Sequence, residues 1–308
     1  MENKDSSVST EHETQYTAGF LKNGIVRGIA YQLKLLTWVS WKMISKKDAS
    51  KWWLGSEVVE ARGFHDLVLK YVNNTVDEKG KTSGKKYLYR FVQIKHMACL
   101  TGGMKISISH LLSQERDGFY RQYSLIYLFK SYMQMITKFE NITPEQIVDI
   151  TVFTNRNINT SLEFLVPVDK DEIFGFKEKG KHYRFNLDVL RQAPHNPIVQ
   201  CLQAFSRRED AHVWNFLSKL VFAVGQPSEP ELERLIVKDM GKVYNTPQIF
   251  YNDLFKNITE WFLVIEKGSA PYLTEEDIKK KLKKMEEMLL AEKRTPVDSI
   301  SLSNLSLT

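Results

Sequence analysis

The chain has 308 residues, of which 43 % are hydrophobic and 12 % aromatic. That is enough to bury one large domain or two ordinary ones, and too apolar for a disordered chain. A formal charge of +6 fits a polyanionic partner without requiring one, and two cysteines, Cys99 and Cys201, exclude a disulfide scaffold and suit a reducing compartment.

Residues 1–16 are polar, lack the apolar stretch of a secretory signal, and are expected to be disordered. No segment reaches the ~18 uninterrupted apolar residues of a membrane span. The most apolar candidate, 25–44, contains Arg27, Gln32, Lys34 and Lys42. The expectation is an intracellular protein, cytoplasmic or nuclear, with no membrane partner. The sequons at Asn141 and Asn257 then read as chance matches.

Ile25, Ile29, Leu33, Leu36 and Met43 recur at helical spacing, which predicts a helix over 24–46. A short strand fits 52–59. The run Phe64 to Val72 is rich in β-branched and aromatic residues and predicts a second strand. Residues 73–86 hold Asn-Asn, Gly80, Gly84 and several lysines and read as an exposed turn. Tyr87 to His96 predicts a third strand that closes a hairpin. Helical residues run from 109 to 139. Thr143-Pro144-Glu145 reads as a cap, and Ile147 to Thr154 is nearly continuous in apolar and β-branched residues, as a buried central strand should be. A further strand fits 162–168. From about residue 186 the pattern is mostly helical and punctuated by proline. The charged run 275–293 reads as a solvated helix, and a Ser-rich disordered tail follows from 293 to 308.

The residues that could carry chemistry gather on the hairpin. Side chains at i and i+2 of a strand share a face, roughly 7 Å apart, so Gln93 and Lys95 point together. Asp66 joins them if the register cooperates. An aspartate and an amide oxygen can hold a hard cation such as Mg²⁺, and a lysine beside them can orient water or stabilise a phosphate. By the same parity, His65 and His96 face away and read as structural. Trp52, Trp53 and the Tyr87/Tyr89/Phe91 stripe read as core, as do Met133 and Met135. Gly102-Gly103 lacks the residues of a Walker phosphate loop.

Asp66 followed by a strand-borne Gln93-Ile94-Lys95 resembles the PD-(D/E)XK, or restriction-endonuclease-like, superfamily, in the branch where glutamine replaces the second acid. Gly28-Ile-Ala-Tyr31-Gln32, Phe64-His-Asp66-Leu-Val and Tyr89-Arg-Phe-Val-Gln93-Ile-Lys95-His96 resemble the N-terminal domain of a group of insect proteins that precede ankyrin repeats or NTPase modules. Those domains are related to double-stranded-DNA endonuclease effectors of bacterial anti-phage systems. The segment 216–232 resembles the helical region that follows.

The resemblance implies an α/β (α+β) fold with an αβββαβ core and mixed sheet in 17–190, then a helical region in 191–292. It implies a Mg²⁺- or Mn²⁺-dependent DNA endonuclease with Asp66, Gln93 and Lys95 as catalytic residues. Asp66 and Gln93 would hold the metal, with Gln32, Glu57 and Glu60 as accessory groups. Lys81, Lys85 and Lys86 of the turn are candidates to touch nucleic acid. The neutral Gln93 departs from the usual acid pair and leaves a second reading open: a catalytically inactive module that uses the same fold to bind nucleic acid or protein. Homo-oligomerisation stays open as well.

Overall fold

The computed structural model describes residues 25–46, 51–76, 82–97, 105–114, 120–139, 142–160, 162–192, 196–206, 210–266 and 269–294. The 1–16 segment, Cys99, Gly102-Gly103, Asn141, Lys81 and the tail beyond Arg294 fall outside them. Helix α1 (Arg27–Ser45) leads into β1 (Trp52–Gly55), a 3-10 helix (Val59–Phe64), β2 (Leu67–Val76) and β3 (Thr82–Lys95). Helices α2 (Ile108–Leu111) and α3 (Leu125–Lys138) precede β4 (Ile147–Thr154). The expected order of helix, three strands, helix and strand is therefore present. Then follow β5 (Leu165–Val168), β6 (Lys181–Phe185), α4 (Leu187–Gln192), α5 (Pro197–Ser206), α6 (Asp210–Lys219), β7 (Leu220–Val224), α7 (Glu229–Met240), α8 (Pro247–Phe262), β8 (Leu273–Thr274) and α9 (Glu275–Arg294). Among the described residues no helix is long and apolar enough to cross a membrane.

The eight strands form one mixed sheet in the order β5-β6-β7-β4-β3-β2-β1-β8. Strand β3 is antiparallel to β2 and parallel to β4, and β4 is parallel to β7. A core lies on each face. Phe91, Ile150, Val152 and Phe222 pack with α3, α5 and α6. On the other side Val92, Ile94 and Phe153 pack with α1, α7, α8 and α9. Helix α1 is covered nearly all round, with residues 31–41 buried without a break. Its apolar stripe is wider than the sequence spacing suggested because helices cover its outer side. Ile25 and Ile29, at the start of that stripe, are instead exposed.

Three sequence expectations change. Residues 82–86 belong to β3, so the turn is shorter than 73–86; Asn73 pairs with Lys86 and Asn74 with Lys85. The 109–139 helix is broken into α2, a single 3-10 turn (Tyr120–Tyr123) and α3. The helical second part also contributes β7 to the sheet, between β4 and β6. Its sequence, LVFAV, is buried at every position, as a strand covered on both faces requires. Gly225, at φ 59°, then turns the chain where a side chain would be strained.

Arg90 of β3 sits among the apolar residues of one face. Its Nε donates to both carboxylate oxygens of Asp149 at 3.1 and 3.2 Å, and its guanidinium pairs with Asp171 at 2.8 Å. Arg90 and Asp149 are both buried. Asp149→Ala is expected to destabilise the fold by about 3–5 kcal/mol, because it leaves a buried guanidinium half-compensated. Urea unfolding of the variant measures this.

Candidate functional site

The first turn of α1, the 3-10 helix, the start of β2 and the end of β3 meet at a cleft of about 290 Å³. Gln32, His65, Asp66, Gln93, Lys95 and His96 are among its lining residues. Register places Leu67 opposite Val92, so Asp66, one residue earlier, comes beside Gln93 and Ile94. Gln93 Nε2 donates to Asp66 Oδ2, and the Ile94 N–H donates to the same oxygen at 2.6 Å. Burial pushes the Asp66 carboxyl up, against the lowering effect of the Ile94 hydrogen bond. Gln32, on α1, lies with its Nε2 2.8 Å from Glu57 Oε1, 3.0 Å from Ser56 Oγ and 3.0 Å from the Asp66 carbonyl. It ties the helix to both strands.

The structure thus brings Asp66, Gln93, Lys95, Gln32 and Glu57 together. Gln93 directs its amide nitrogen at the Asp66 carboxylate. Glu60 is exposed and is not among the cleft's lining residues; the Tyr272 phenol is pushed up by burial and, secondarily, by Glu60. Lys86 is half-buried on β3 beside Asn73. Of Lys85 only the backbone is described, and Lys81 lies outside the described residues.

His65 joins the site against the parity expectation. Its Nδ1 donates to Glu57 Oε2 at 3.1 Å and lies 3.3 Å from Asp66 Oδ1. Parity failed because β2 begins only at Leu67. His65 has helical backbone angles at the end of the 3-10 helix, where strand alternation does not hold. The Arg62-Gly63 pair was the available signal of a turn there. Gly63 lets that helix approach α3: a Cβ on it would lie 2.4 Å from Ser131 Oγ. His96 lines the cleft too, and its ring stacks on Tyr31 at 4.2 Å. Burial holds the His96 imidazole down at about 4, so it is neutral at physiological pH.

Glu57 Oε2, His65 Nδ1 and Asp66 Oδ1 form a set of three donor atoms, all within 4.8 Å of one another. Adjacent ligands on a metal with bonds of about 2.1 Å lie roughly 3 Å apart, which the 3.1 and 3.3 Å separations match. The hydrogen bond with Glu57 pulls the His65 imidazole up, and the same bond pulls the Glu57 carboxyl down. Lys95 completes the charge pattern. Its ammonium is held below its ordinary range by burial, with Asp66 and Glu57 opposing that shift. The ammonium has no hydrogen-bond or ion-pair partner among the described residues.

No protein-family model and no curated protein matches the chain. Solved structures do. One is an Acinetobacter baumannii Cap4 SAVED/CARF-domain containing receptor with the cyclic trinucleotide 2'3'3'-cAAA: 11 % identity, TM-score 0.39, covering 91 % of this chain and 47 % of that one. Another is the Moraxella osloensis Cap4 receptor: 10 % identity, TM-score 0.37, covering 84 % of this chain and 46 % of that one. The chain therefore spans about half the length of the structures it matches. These findings correct the expectation drawn from the motifs. The solved structures it is similar to are described as receptors and not as PD-(D/E)XK nucleases, and the assignment to that superfamily and the double-stranded-DNA endonuclease activity that came with it are withdrawn. The structure supplies a physical counterpart: the motif's second acid is a glutamine whose amide is engaged by Asp66. At this distance the likeness transfers no activity to this chain.

Two outcomes follow from the geometry. His65 must lose its proton to ligate a metal, and its pKa is raised. If Mn²⁺ binds at this set, its affinity should increase as pH rises through that raised value, with proton release measurable by calorimetry in buffers of different ionisation enthalpy. The stability that His65 gains from Glu57 runs the other way: it is full below the unfolded imidazole pKa and lost as pH rises through the folded one. Thermal melts of wild type and His65→Gln across pH 5–8 check that sign.

Proposed function

We propose that the chain is a binding module for a phosphate-bearing, nucleic-acid-derived ligand, held in the α1/β3 cleft with the help of a divalent cation. The observation that carries the reading is Lys95. An ammonium that is mostly out of water and lacks an ion-pair partner is costly. A phosphate oxygen in the cleft would supply the missing partner through a charge-assisted hydrogen bond. Glu57, His65 and Asp66 would hold the cation, which supplies a second positive centre against the same anion. Two carboxylates with one imidazole suit Mn²⁺ better than Mg²⁺, because nitrogen ligands favour the later metals. Gln93 and Gln32 keep the carboxylates in place.

The apolar mouth of the cleft, made by Ile25, Gly28 and Ile29, suits the base of such a ligand. A Cβ at Gly28 would meet nothing within 4 Å. Gly28→Leu should therefore leave the fold intact, and raise helix stability by up to about 1 kcal/mol, while filling the cleft and abolishing ligand binding.

The test is calorimetric or anisotropy titration with AMP, a linear oligonucleotide in single- and double-stranded form, and a cyclic trinucleotide, each with and without Mn²⁺. At least one should bind in a cation-dependent manner. Lys95→Met should weaken that binding about tenfold or more, the ~1.5–3 kcal/mol of a hydrogen bond to a charged group, with Mn²⁺ binding retained. Asp66→Asn should lose cation and ligand together. Absence of binding to every probe would sink the reading. Cation-dependent cleavage of a probe would sink its restriction to binding.

A further inference from the structure

A second cavity, of about 400 Å³, opens on the other side of the cation-ligand set, and Glu57, Arg62, Gly63, His65, Tyr127 and Ser131 are among its lining residues. His65 and Tyr127 line both cavities, so the two are continuous surfaces on either side of one wall. Arg62 is the unusual member. Its backbone sits at φ 55° and ψ −122°, a region open to glycine and strained for any residue with a side chain. Its Nε is buried without a hydrogen-bond partner, and its guanidinium has no ion-pair partner among the described residues. Glycine, the residue that could relax this backbone, stands one position later, where close packing on Ser131 requires it. Glu57, which lines this second cavity, is also left-handed, at φ 56°.

We infer that Arg62 is a second anion-contacting residue, and that the ligand of this cleft carries at least two phosphates, one at Lys95 and one at Arg62. The inference rests on the phosphate-binding reading of the cleft. A side chain held on a strained backbone with an unsatisfied buried donor has two costs that a bound phosphate offsets together. Its fork of N–H groups donates to phosphate oxygens in pairs. His65, of the cation-ligand set, lines both cavities, with Lys95 in one and Arg62 in the other. An internucleotide backbone or a polyphosphate could bridge that arrangement, whereas a single phosphate could not.

The probes that decide are AMP, with one phosphate, and the dinucleotide pApA, with two, titrated with Mn²⁺ against wild type, Arg62→Gly and Arg62→Lys. Arg62→Gly relaxes the backbone, so it should fold and raise Tm. It should lose about tenfold or more of pApA affinity, the scale of a charge-assisted hydrogen bond, while AMP affinity stays within about twofold. Arg62→Lys keeps the charge but not the fork and should fall between the two. Unchanged pApA affinity in Arg62→Gly would overturn the inference. So would equal losses for AMP and pApA, which would make Arg62 a shaper of the first subsite. If wild type binds neither probe nor any other nucleotide, the underlying reading falls as well.

Discussion

The cleft depends on how one buried carboxylate is compensated. Asp66 is 7 % exposed, and a carboxylate in such a place is tolerated only when its oxygens are satisfied. Strand β3 supplies two donors to one oxygen, from the Gln93 side chain and the Ile94 backbone. The second oxygen is left facing His65. The same contacts join the start of β2 to the end of β3, and Gln32 brings α1 and Ser56 to the back of the same residue. A neutral residue at 93 follows from this arrangement. A carboxylate there would replace one of Asp66's donors with a like charge, leaving the Ile94 N–H and His65 to compensate it.

Strand β3 separates two kinds of polar chemistry. Its odd-numbered residues Gln93 and Lys95 face the open cleft, where charges are left incompletely paired. Its even-numbered Arg90 lies on the opposite face, locked between Asp149 and Asp171 over the Phe174 ring. The closed cluster has its partners within the fold. The open one does not, and that difference separates a structural ion network from a place where a ligand can contribute binding energy.

Elements with strong periodicity or composition were legible in the amino-acid order. Strand β4 runs from Ile147 to Thr154, where its apolar run placed it, and Gln93 and Lys95 share a face because strand geometry leaves no alternative. What stayed hidden depended on where elements stop. Strand alternation puts His65 on the wrong side because β2 begins three residues later than the composition of 64–72 suggests. The β7 segment reads as helix because α6 runs straight into it, and a short apolar run has no period that distinguishes strand from buried helix. Arg62 gave no signal, since the sequence does not display a backbone angle. The motif pattern suggested an enzyme family whose membership the comparisons do not support: residue types and spacing identified a polar site, but its chemistry depends on which atoms are already engaged.

The placement of β7 also governs how the molecule can be made. Strands β3 and β4 can form early during synthesis, but β4 pairs on its far side with a strand that begins only at Leu220. Strands β5 and β6, though earlier in the chain, reach the rest of the sheet only through β7. Until residue 224 has emerged, β4 presents an apolar, unpaired edge, the kind of surface that invites mispairing. Closing a loop of some 65 residues to cover it is slow compared with hairpin formation. The hairpin that carries Asp66, Gln93 and Lys95 can therefore assemble well before the sheet that supports it is complete, and a nascent chain is most exposed to aggregation in the interval between those two events.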